Sequence, residues 1–491
     1  MTSDRPLPFV VNLHEAAARL EQVSSVSLPD GGELHVALPL AYARQPRERF
    51  PLLVVPDART LFGSAVEMTR LMTQTRELRP CIVAGLDDAL ASAADARAFC
   101  ARLEQLVLPR LRQQYRISEI VLFGPLADEA ATTHAILANV PGVDHYIQGG
   151  RDADGSLPAL VRGVRARLSS GRRYGDEMAT MARPLVAGTL GLLAPLIGRL
   201  RRKPPDVPEN PQLLRSRLMQ RDFEIFVSLP ASAARSPQRR YPVLLALDAN
   251  IEFSTVAETA ARMAAANEIA EVAVVGIGVP RVLGPVEFGF RRFEEFCPPA
   301  DGYQWDDELA RVFRSLFALR GQDARTRVGQ AAQFLGFITG ELLPLLSRTL
   351  PIDVSQAGLL GHSAGGTFVA YALCQPGAPF THYACISPGV GMAGSWLLRR
   401  RAGDKRVAAG AQSVFLSIGS EERDNRFNQM AGIPDTPALA QSLRDARQLK
   451  VVERCFEGET HSSTYPLAVV HALRVAYAGA ARATARQAGA A

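Results

Sequence analysis

The stretch that decides the fold is Leu359-Leu360-Gly361-His362-Ser363-Ala364-Gly365-Gly366. An apolar run precedes this G-x-S-x-G pentad and a helix-compatible apolar segment follows it, which predicts a sharp turn from a strand into a helix. Gly361 and Gly365 lack a Cβ, so the two elements can approach closely while Ser363 is held in a strained, exposed position. The N–H of Ala364, at the start of the helix, points to where an oxyanion would form. The pentad therefore predicts a nucleophilic serine.

A histidine near the end of the chain can serve as the base that such a serine needs. His461 lies on a predicted polar loop after Val451 to Phe456, a segment that can form a short strand. In α/β-hydrolases the catalytic residues follow one another along the chain as serine, acid and histidine, with the histidine after the last strand. His461 stands in that order after Ser363, so we predict a serine–histidine pair.

The acid that orients the histidine should follow a strand between the two. Ser413 to Gly419 has the pattern of that strand, and the acidic stretch Ser420-Glu421-Glu422-Arg423-Asp424 follows it. A carboxylate at this place would fix the tautomer of the histidine and stabilise its protonated form. The residues alone leave the choice among Glu421, Glu422 and Asp424 open.

Length and composition limit the class of protein. A chain of 491 residues is comfortable for two domains, and 47% hydrophobic with 21% charged residues is typical of a globular protein. The net charge is +6, but the arginines are spread along the chain and form no basic stripe, which argues against nucleic acid as a partner. The cysteines show no metal-ligand spacing, so we expect buried free thiols in a reducing compartment, no metal and no cofactor. They are Cys81, Cys100, Cys297, Cys374, Cys385 and Cys455.

Targeting signals are weak. Residues 1–20 lack the basic stretch and apolar core of a secretory signal, so we expect a cytoplasmic protein. The longest apolar stretch, Pro184 to Gly198, contains two glycines and a proline in its interior and is shorter than the roughly 20 residues that cross a bilayer. Its basic flanks would suit an interfacial helix at a membrane, but a helix that packs between domains is the stronger expectation.

The two halves of the chain share a sequence pattern. Glu33 to Pro39 (ELHVALP) resembles Glu224 to Pro230 (EIFVSLP), and Glu67 matches Glu258, at one offset of 191 residues. A second constant offset, 237 residues, relates later strands of the first half to those around the G-x-S-x-G pentad. Chance similarity would not keep this register. We therefore predict two tandem copies of an α/β-hydrolase fold, each a mostly parallel sheet covered by helices on both faces.

The copies differ where the chemistry should lie. The first copy has Gly124-Pro125-Leu126-Ala127-Asp128 where the second has the pentad, so Leu126 replaces the nucleophile and the first copy is degenerate. Prolines crowd the stretch from Arg201 to Pro211, which predicts a linker. The predicted domains are a degenerate, non-catalytic hydrolase-like domain at 1–175, an apolar helical segment and linker at 176–212, and a catalytic domain at 213–491.

The second copy resembles a known group over roughly Leu218 to Ala476. Its motifs are Tyr241 to Asp248 (YPVLLALD), Val275 to Pro280 (VGIGVP), Arg292 to Pro298 (RFEEFCP) and Gly361 to Gly366 (GHSAGG). Together they are similar to those of the enterochelin-esterase-like "putative esterase" family of α/β-hydrolases, which is related to esterase D and the mycolyltransferases. The resemblance implies the α/β-hydrolase fold and a serine esterase.

The resemblance also assigns roles. It implies Ser363 as nucleophile and His461 as base, and Glu422 looks like the matching acid, although some members of the family use a serine–histidine dyad. We expect the oxyanion to be held by the N–H groups of Ala364 and Ala249. The family usually has glycine where this chain has Ala249, so the geometry of that loop is the departure to examine.

The stretch from Arg281 to Arg327 is expected to cap the pocket as a lid. It is rich in aromatic residues and contains neighbouring arginines. A guanidinium pairs with carboxylates and stacks on rings, so a planar or acidic acyl group would suit Arg291, Arg292 and Trp305 as substrate-binding residues. Ordinary packing of the lid is an equally good interpretation.

We therefore expect a serine hydrolase that cleaves a small-molecule ester, a thioester or a macrolactone of a siderophore or other secondary metabolite. An acyltransferase with the same triad is the second hypothesis, because only access to the pocket separates water from another acceptor. A non-catalytic scaffold is the third, and the intact Ser363 and His461 argue against it. Homodimerisation through the first copy is a further expectation.

Overall fold

The computed structural model describes residues 22–56, 58–75, 77–88, 93–124, 130–149, 153–170, 213–301, 303, 305–403, 407–444 and 449–488. The described residues form two compact units. The larger unit contains residues 213–253 and 269–488, and the smaller unit contains residues 22–170 together with 254–268. The predicted linker, the apolar stretch from Pro184 to Gly198 and Leu126 lie outside the described residues. No helix in the described part of the chain is long and apolar enough to span a bilayer.

The strands fall into two sheets. In the smaller unit they are β1 (Gln22–Ser27), β2 (Glu33–Leu38), β3 (Phe50–Pro56), β4 (Ile82–Leu86), β5 (Ile117–Gly124) and β6 (His145–Gln148). In the larger unit they are β7 (Leu213–Ser216), β8 (Arg221–Ser228), β9 (Tyr241–Ala246), β10 (Ala273–Gly278), β11 (Ile352–His362), β12 (His382–Ile386), β13 (Ser413–Gly419) and β14 (Lys450–Phe456).

Helices connect the strands. Up to residue 265 they are α1 (Ala41–Arg44), α2 (Ala58–Gln74), α3 (Ala93–Arg102), α4 (Leu108–Gln114), α5 (Ala130–Leu137), α6 (Ala153–Leu168) and α7 (Ala249–Ala265). The remainder are α8 (Gly284–Phe296), α9 (Glu308–Ala318), α10 (Ala324–Arg327), α11 (Ala331–Phe337), α12 (Leu343–Thr349), α13 (Ala364–Leu373), α14 (Met392–Gly403), α15 (Arg426–Met430), α16 (Thr436–Arg444) and α17 (His461–Ala488). Short π-helices span Leu103–Val107 and Ile338–Leu342, and 3-10 turns span Arg281–Leu283, Ser420–Asp424 and Ile433–Asp435.

The larger unit has the α/β-hydrolase fold, as predicted. Its strand order is β7-β8-β10-β9-β11-β12-β13-β14. From β10 to β14 neighbouring strands pair in parallel, and β8 pairs antiparallel with β10. The central strands β9 and β10 are almost wholly buried because helices cover both faces of the sheet, which is why they are nearly continuous apolar runs. The carboxyl ends of β9, β11, β12 and β13 therefore meet along one edge.

The smaller unit repeats this order over six strands. Its sheet runs β1-β2-β4-β3-β5-β6, which corresponds position by position to β7-β8-β10-β9-β11-β12. The register agrees as well, since β3 starts opposite β5 at Phe50↔Ile117 and β9 starts opposite β11 at Tyr241↔Ile352, each followed by an irregularity. This correspondence supports the predicted repeat. That the smaller unit descends from a hydrolase and has lost its chemistry stays a prediction.

Helix α7 is shared between the units. Its first turn belongs to the larger unit, whereas Ser254–Glu268 belongs to the smaller unit by its contacts. The predicted domain bounds stay a prediction.

Within the smaller unit, α2 and α7 each carry a buried carboxylate that accepts hydrogen bonds from the other helix. Glu67 on α2 accepts hydrogen bonds from the N–H groups of Ser254 and Thr255, both at 2.7 Å. Glu258 on α7 accepts hydrogen bonds from the N–H groups of Gly63 and Ser64, at 2.8 and 2.7 Å. The hydroxyl groups of Thr255 and Ser64 add a third bond to each carboxylate, at 2.8 and 2.6 Å. The two sites are equivalent in the repeat, because each residue is matched by one 191 positions away.

The predicted lid forms a small apolar cluster of its own. Phe290, Trp305, Phe313 and Phe317 are buried in it, and Phe290 packs edge-on against Phe317. All six cysteines are free, and the expectation that they are buried fails for two of them: Cys100 is half-buried, and Cys455 is exposed on the last strand of the sheet.

Candidate active site

Ser363 stands at a strained turn between β11 and α13. Its backbone has φ 59° and ψ −122°, a left-handed conformation that costs a residue with a side chain roughly 1–3 kcal/mol. The surrounding backbone holds it there, since its N–H donates to the carbonyl of Ile386 at 2.9 Å. A Cβ on Gly361 would lie 2.5 Å from the main-chain carbon and oxygen of Gly365, so no side chain fits at that glycine. The predicted strand–turn–helix is confirmed.

His461 and Glu422 lie together at the same edge of the sheet. Nδ1 of His461 is 2.7 Å from Oε2 of Glu422, and the carboxylate is fully buried. His461 is the first residue of α17, whereas the sequence predicted a loop. Thr460 and Ser463 bond each other across the helix start and so close it. Of the three acids that the sequence left open, Glu422 bonds the histidine, and Glu421 and Asp424 are exposed.

Glu422 is fixed from three directions. Its Oε1 accepts hydrogen bonds from the hydroxyl of Ser387 and from the N–H of Gly419, both at 2.7 Å. Burial alone would raise the pKa of Glu422, but the charge of His461 and these hydrogen bonds outweigh it and hold the pKa below its ordinary value. The acid is therefore ionised at neutral pH and can stabilise a protonated His461.

Two helix starts face the edge where the oxyanion is expected. Ala249 and Ala364 are the first residues of α7 and α13, so no carbonyl within their own helices accepts their N–H groups. A Cβ on Gly365 would lie 3.2 Å from Oδ2 of Asp248, which places the start of α7 beside the serine turn. Asp248 has φ 52°, so this chain reaches the bend without the glycine that the family usually has at residue 249.

Arg292 and Asp248 form an ion pair beneath this edge. Nε of Arg292 donates to Oδ1 of Asp248 at 2.8 Å, and about a fifth of the arginine side chain is exposed, 18%. Burial raises the pKa of Asp248 to about 7 even though Arg292 attracts its ionised form. The guanidinium is thus held in place next to the expected oxyanion site.

The other two expected substrate-binding residues are buried. Arg291 is 3% exposed, donates to Glu295 at 2.7 Å and to the carbonyl of Asp222, and lies over the ring of Phe223. Neighbouring helical residues point about 100° apart, which is why Arg292 turns toward Asp248 while Arg291 turns into the core. Trp305 is 5% exposed and packs against Tyr303 in the lid cluster. Burial argues against direct substrate contact by Arg291 or Trp305.

A second histidine–acid pair, which sequence reasoning missed, lies beside the base. Nδ1 of His362 is 2.9 Å from Oε1 of Glu252, and Nε2 of His362 is 3.1 Å from the main-chain oxygen of His461. The two imidazole rings pack against each other, with centroids 4.4 Å apart and planes inclined by 32°. The signal that could have found Glu252 is a charged residue inside an apolar helical run, Ile251-Glu252-Phe253.

Comparisons with known proteins relate the second half of the chain to esterases. Residues 317–471 match a family model described as putative esterase. The chain is 27% identical over 285 residues to the ferri-bacillibactin esterase BesA of Bacillus subtilis, a match that covers 54% of this chain and 88% of the relative. It is 23% identical over 214 residues to the apo-salmochelin esterase of Escherichia coli, covering 43% of this chain and 61% of that protein.

One solved structure is that of the siderophore hydrolase EstB from Aspergillus nidulans, which is 21% identical. It covers 56% of this chain and 98% of its own length, with a TM-score of 0.45. The family and curated-protein matches confirm the predicted resemblance of the second half to enterochelin-esterase-like proteins.

Proposed function

Because the second half of this chain is an enterochelin-esterase-like carboxylic ester hydrolase, we propose that it hydrolyses a siderophore ester through an acyl-enzyme formed on Ser363. The observation that carries the mechanism is the buried Glu422 bonded to His461 at the edge where β11 presents the strained serine. A triad of this kind activates a serine only when the acid fixes the tautomer of the histidine. Here the acid is ionised and the Nδ1 proton is directed toward it.

The reaction needs no group beyond these side chains. The hydroxyl oxygen of Ser363 attacks the ester carbonyl and His461 takes the proton at Nε2, which it then gives to the leaving alcohol. The acyl group stays on the serine until water, deprotonated by His461, attacks the acyl carbonyl. The C–O bond to Ser363 then breaks, and the proton returns to the serine.

The N–H groups of Ala364 and Ala249 would hold the oxyanion. Preorganised donors of this kind contribute roughly 2.7–4 kcal/mol each to the transition state. The bend at Asp248 supports this assignment, because it directs the start of α7 toward the serine turn. Arg292, fixed by Asp248, remains as the substrate-binding side chain. Arg291 and Trp305 would act only by supporting the lid.

The substrate class follows from the relatives, whose names give ferri-bacillibactin and apo-salmochelin as the esters they cleave. We infer that this chain takes a siderophore ester, with Arg292 beside a planar or acidic acyl group. Iron would enter as the cargo of the substrate. The same triad would accept a macrolactone or a thioester of such a siderophore.

The test is hydrolysis of bacillibactin and salmochelin, each with and without iron, followed by mass spectrometry. Cleavage adds the mass of one water for each ester opened, and Ser363→Ala should remove the activity by roughly a million-fold in kcat. Arg292→Ala should raise KM more than it lowers kcat. If the enzyme hydrolyses simple aryl esters but cleaves neither siderophore, the proposed substrate class is overturned, whereas the assignment of esterase activity stands.

A further inference from the structure

The buried pair of Glu252 and His362 has no step in the proposed reaction. Glu252 is 1% exposed and His362 is 3% exposed, so neither can contact a substrate from outside. The ring of His362 is enclosed between His461 and Tyr465, whose centroid lies 5.1 Å away. The hydroxyl of Tyr465 donates to the main-chain oxygen of Glu252 at 3.2 Å, which ties the start of α7 to α17.

The hydrogen bonds determine where the protons are. The main-chain oxygen of His461 can only accept, so Nε2 of His362 carries a hydrogen. The proton between Nδ1 of His362 and Oε1 of Glu252 then belongs either to an imidazolium facing a carboxylate or to a carboxylic acid facing a neutral imidazole. Oε2 of Glu252 is buried and finds no donor among the described residues. An ionised carboxylate would be far more costly there than a neutral acid.

The surrounding charges agree with the neutral form. Arg292 and Asp248 neutralise each other on one side, and His461 and Glu422 lie on the other. Burial raises the pKa of Glu252 to about 8, although Arg292 and His461 attract its ionised form. Burial and repulsion by a charged His461 hold the pKa of His362 well below its usual range.

We propose that Glu252 and His362 form a neutral positioning pair that fixes the main chain of His461 and thereby aims the catalytic base at Ser363. Glu252 donates to Nδ1 of His362, and Nε2–H of His362 donates to the carbonyl of His461. Together with the bond from Nδ1 of His461 to Glu422, this gives the base one anchor on its ring and one on its backbone.

The neutrality of the pair matters as much as its geometry. The two rings are 4.4 Å apart between centroids, so an imidazolium at His362 would repel the proton that His461 must take up in the transition state. A neutral ring allows close packing without that repulsion. This inference rests on the proposed function, since it concerns the same nucleophile and base.

The test uses the rate at which a fluorophosphonate labels Ser363 at pH 7 in the full chain, which depends on the base and not on the siderophore. Glu252→Ala removes the donor to Nδ1 and should lower the second-order labelling rate constant about ten-fold or more, as expected for a misplaced catalytic group. Glu252→Gln keeps a donor, because its amide can replace the acid hydroxyl, and should stay within about three-fold of wild type. Both variants should leave the KM for an aryl ester unchanged while kcat follows the labelling rate.

A matched control removes another hydrogen-bonded carboxylate from the same unit. Glu341→Ala takes away the acceptor of the N–H groups of Arg217 and Leu218, so it measures a stability loss unrelated to the base. This variant should lower the melting temperature and leave the labelling rate constant within about two-fold of wild type. An unchanged rate in Glu252→Ala would overturn the positioning role. An equal loss of the labelling rate constant in Glu252→Gln and Glu252→Ala would overturn the inference that Glu252 is a neutral acid.

A measurement on the wild-type protein holds even if Glu252→Ala fails to fold. Nitrogen-15 spectra of the 8 histidines should show one ring, absent in His362→Asn, that stays in the Nε2–H tautomer from pH 5 to 7.5. A doubly protonated ring at pH 7 would overturn the proposal. Wild-type protein that is not labelled at all would contradict the proposed function, whereas labelling insensitive to Glu252 would contradict only this inference.

Discussion

Three residues with left-handed backbones surround the active site. Asp248, Ser363 and Ser387 have φ values of 52°, 59° and 45°, and each follows the carboxyl end of a parallel strand. Such conformations cost roughly 1–3 kcal/mol each and persist only where neighbouring contacts over-determine them. Here each one aims a group toward the chemistry: the start of α7, the nucleophile, and the hydroxyl that bonds Glu422. Positive φ values are not confined to this edge, since five other non-glycine residues of the described chain also have them.

Gly361→Ala tests how tightly the serine turn is built. The added Cβ would meet main-chain atoms of Gly365 at 2.5 Å, so β11 and α13 must move apart. We expect unfolding to become easier by about 1–3 kcal/mol and kcat to fall roughly a hundred-fold. Urea unfolding and aryl-ester kinetics measure the two effects. Gly377→Ala is the matched control, since nothing lies within 4 Å of its Cβ. Equal activity in the two variants would contradict the close approach.

At the scale of elements, α7 carries two kinds of carboxylate. Glu252, in its first turn, bonds His362, and Glu258 accepts hydrogen bonds from two N–H groups of α2 inside the smaller unit. Glu67 on α2 makes the equivalent bonds in return. Within the smaller unit, the later part of α7 is therefore anchored to α2 by hydrogen bonds to buried carboxylates.

Removal of the Glu67 carboxylate or of the Glu258 carboxylate should destabilise the smaller unit by a similar amount. Glu67→Ala and Glu258→Ala each leave two N–H groups and a hydroxyl without their acceptor, which we expect to cost about 2–4 kcal/mol at pH 6. Hydrogen exchange of the α2 and α7 amides measures this, with exposed Glu104→Ala as the control that should change nothing. Strongly unequal losses would contradict the equivalence of the two sites.

At the scale of the whole molecule, several buried carboxyl groups make stability depend on pH. Burial raises the pKa values of Glu67, Glu258 and Asp248 to about 7 and that of Glu252 to about 8, against ordinary values of 4.5 for Glu and 3.8 for Asp. At a pH between the ordinary and the raised pKa of such a group, the folded chain keeps a proton that the unfolded chain has released. The free energy of unfolding must then fall as pH rises, by about 1.4 kcal/mol per pH unit for each proton retained.

We therefore expect the protein to be more stable at pH 5.5 than at pH 8.5. Urea unfolding at pH 5.5, 7.0 and 8.5 measures the slope, and Glu258→Gln should flatten it because one raised pKa is removed. A stability that rises with pH over this range would contradict the burial of protonated carboxyl groups.

The sequence was informative where one residue type is required by the backbone. The glycines of the pentad predicted the serine turn. The chain order of Ser363, the acid and His461 led to the proposed triad, in which Glu422 bonds His461. The residues alone left the acid open, and the resemblance pointed to Glu422. The burial of Arg291 needed tertiary contacts, since neighbouring residues on a helix point about 100° apart. Glu252 was missed because its partner, His362, is 110 residues away.

The proposed triad is tested most directly by covalent labelling with a fluorophosphonate, followed by peptide mapping of wild type and Ser363→Ala. If Ser363 is the activated nucleophile, it should be the one modified residue, and the alanine variant should not be labelled. Labelling should also be lost in His461→Ala, because the base activates the serine. A folded wild-type protein that stays unlabelled, or that is labelled at another serine, would contradict the triad of Ser363, His461 and Glu422.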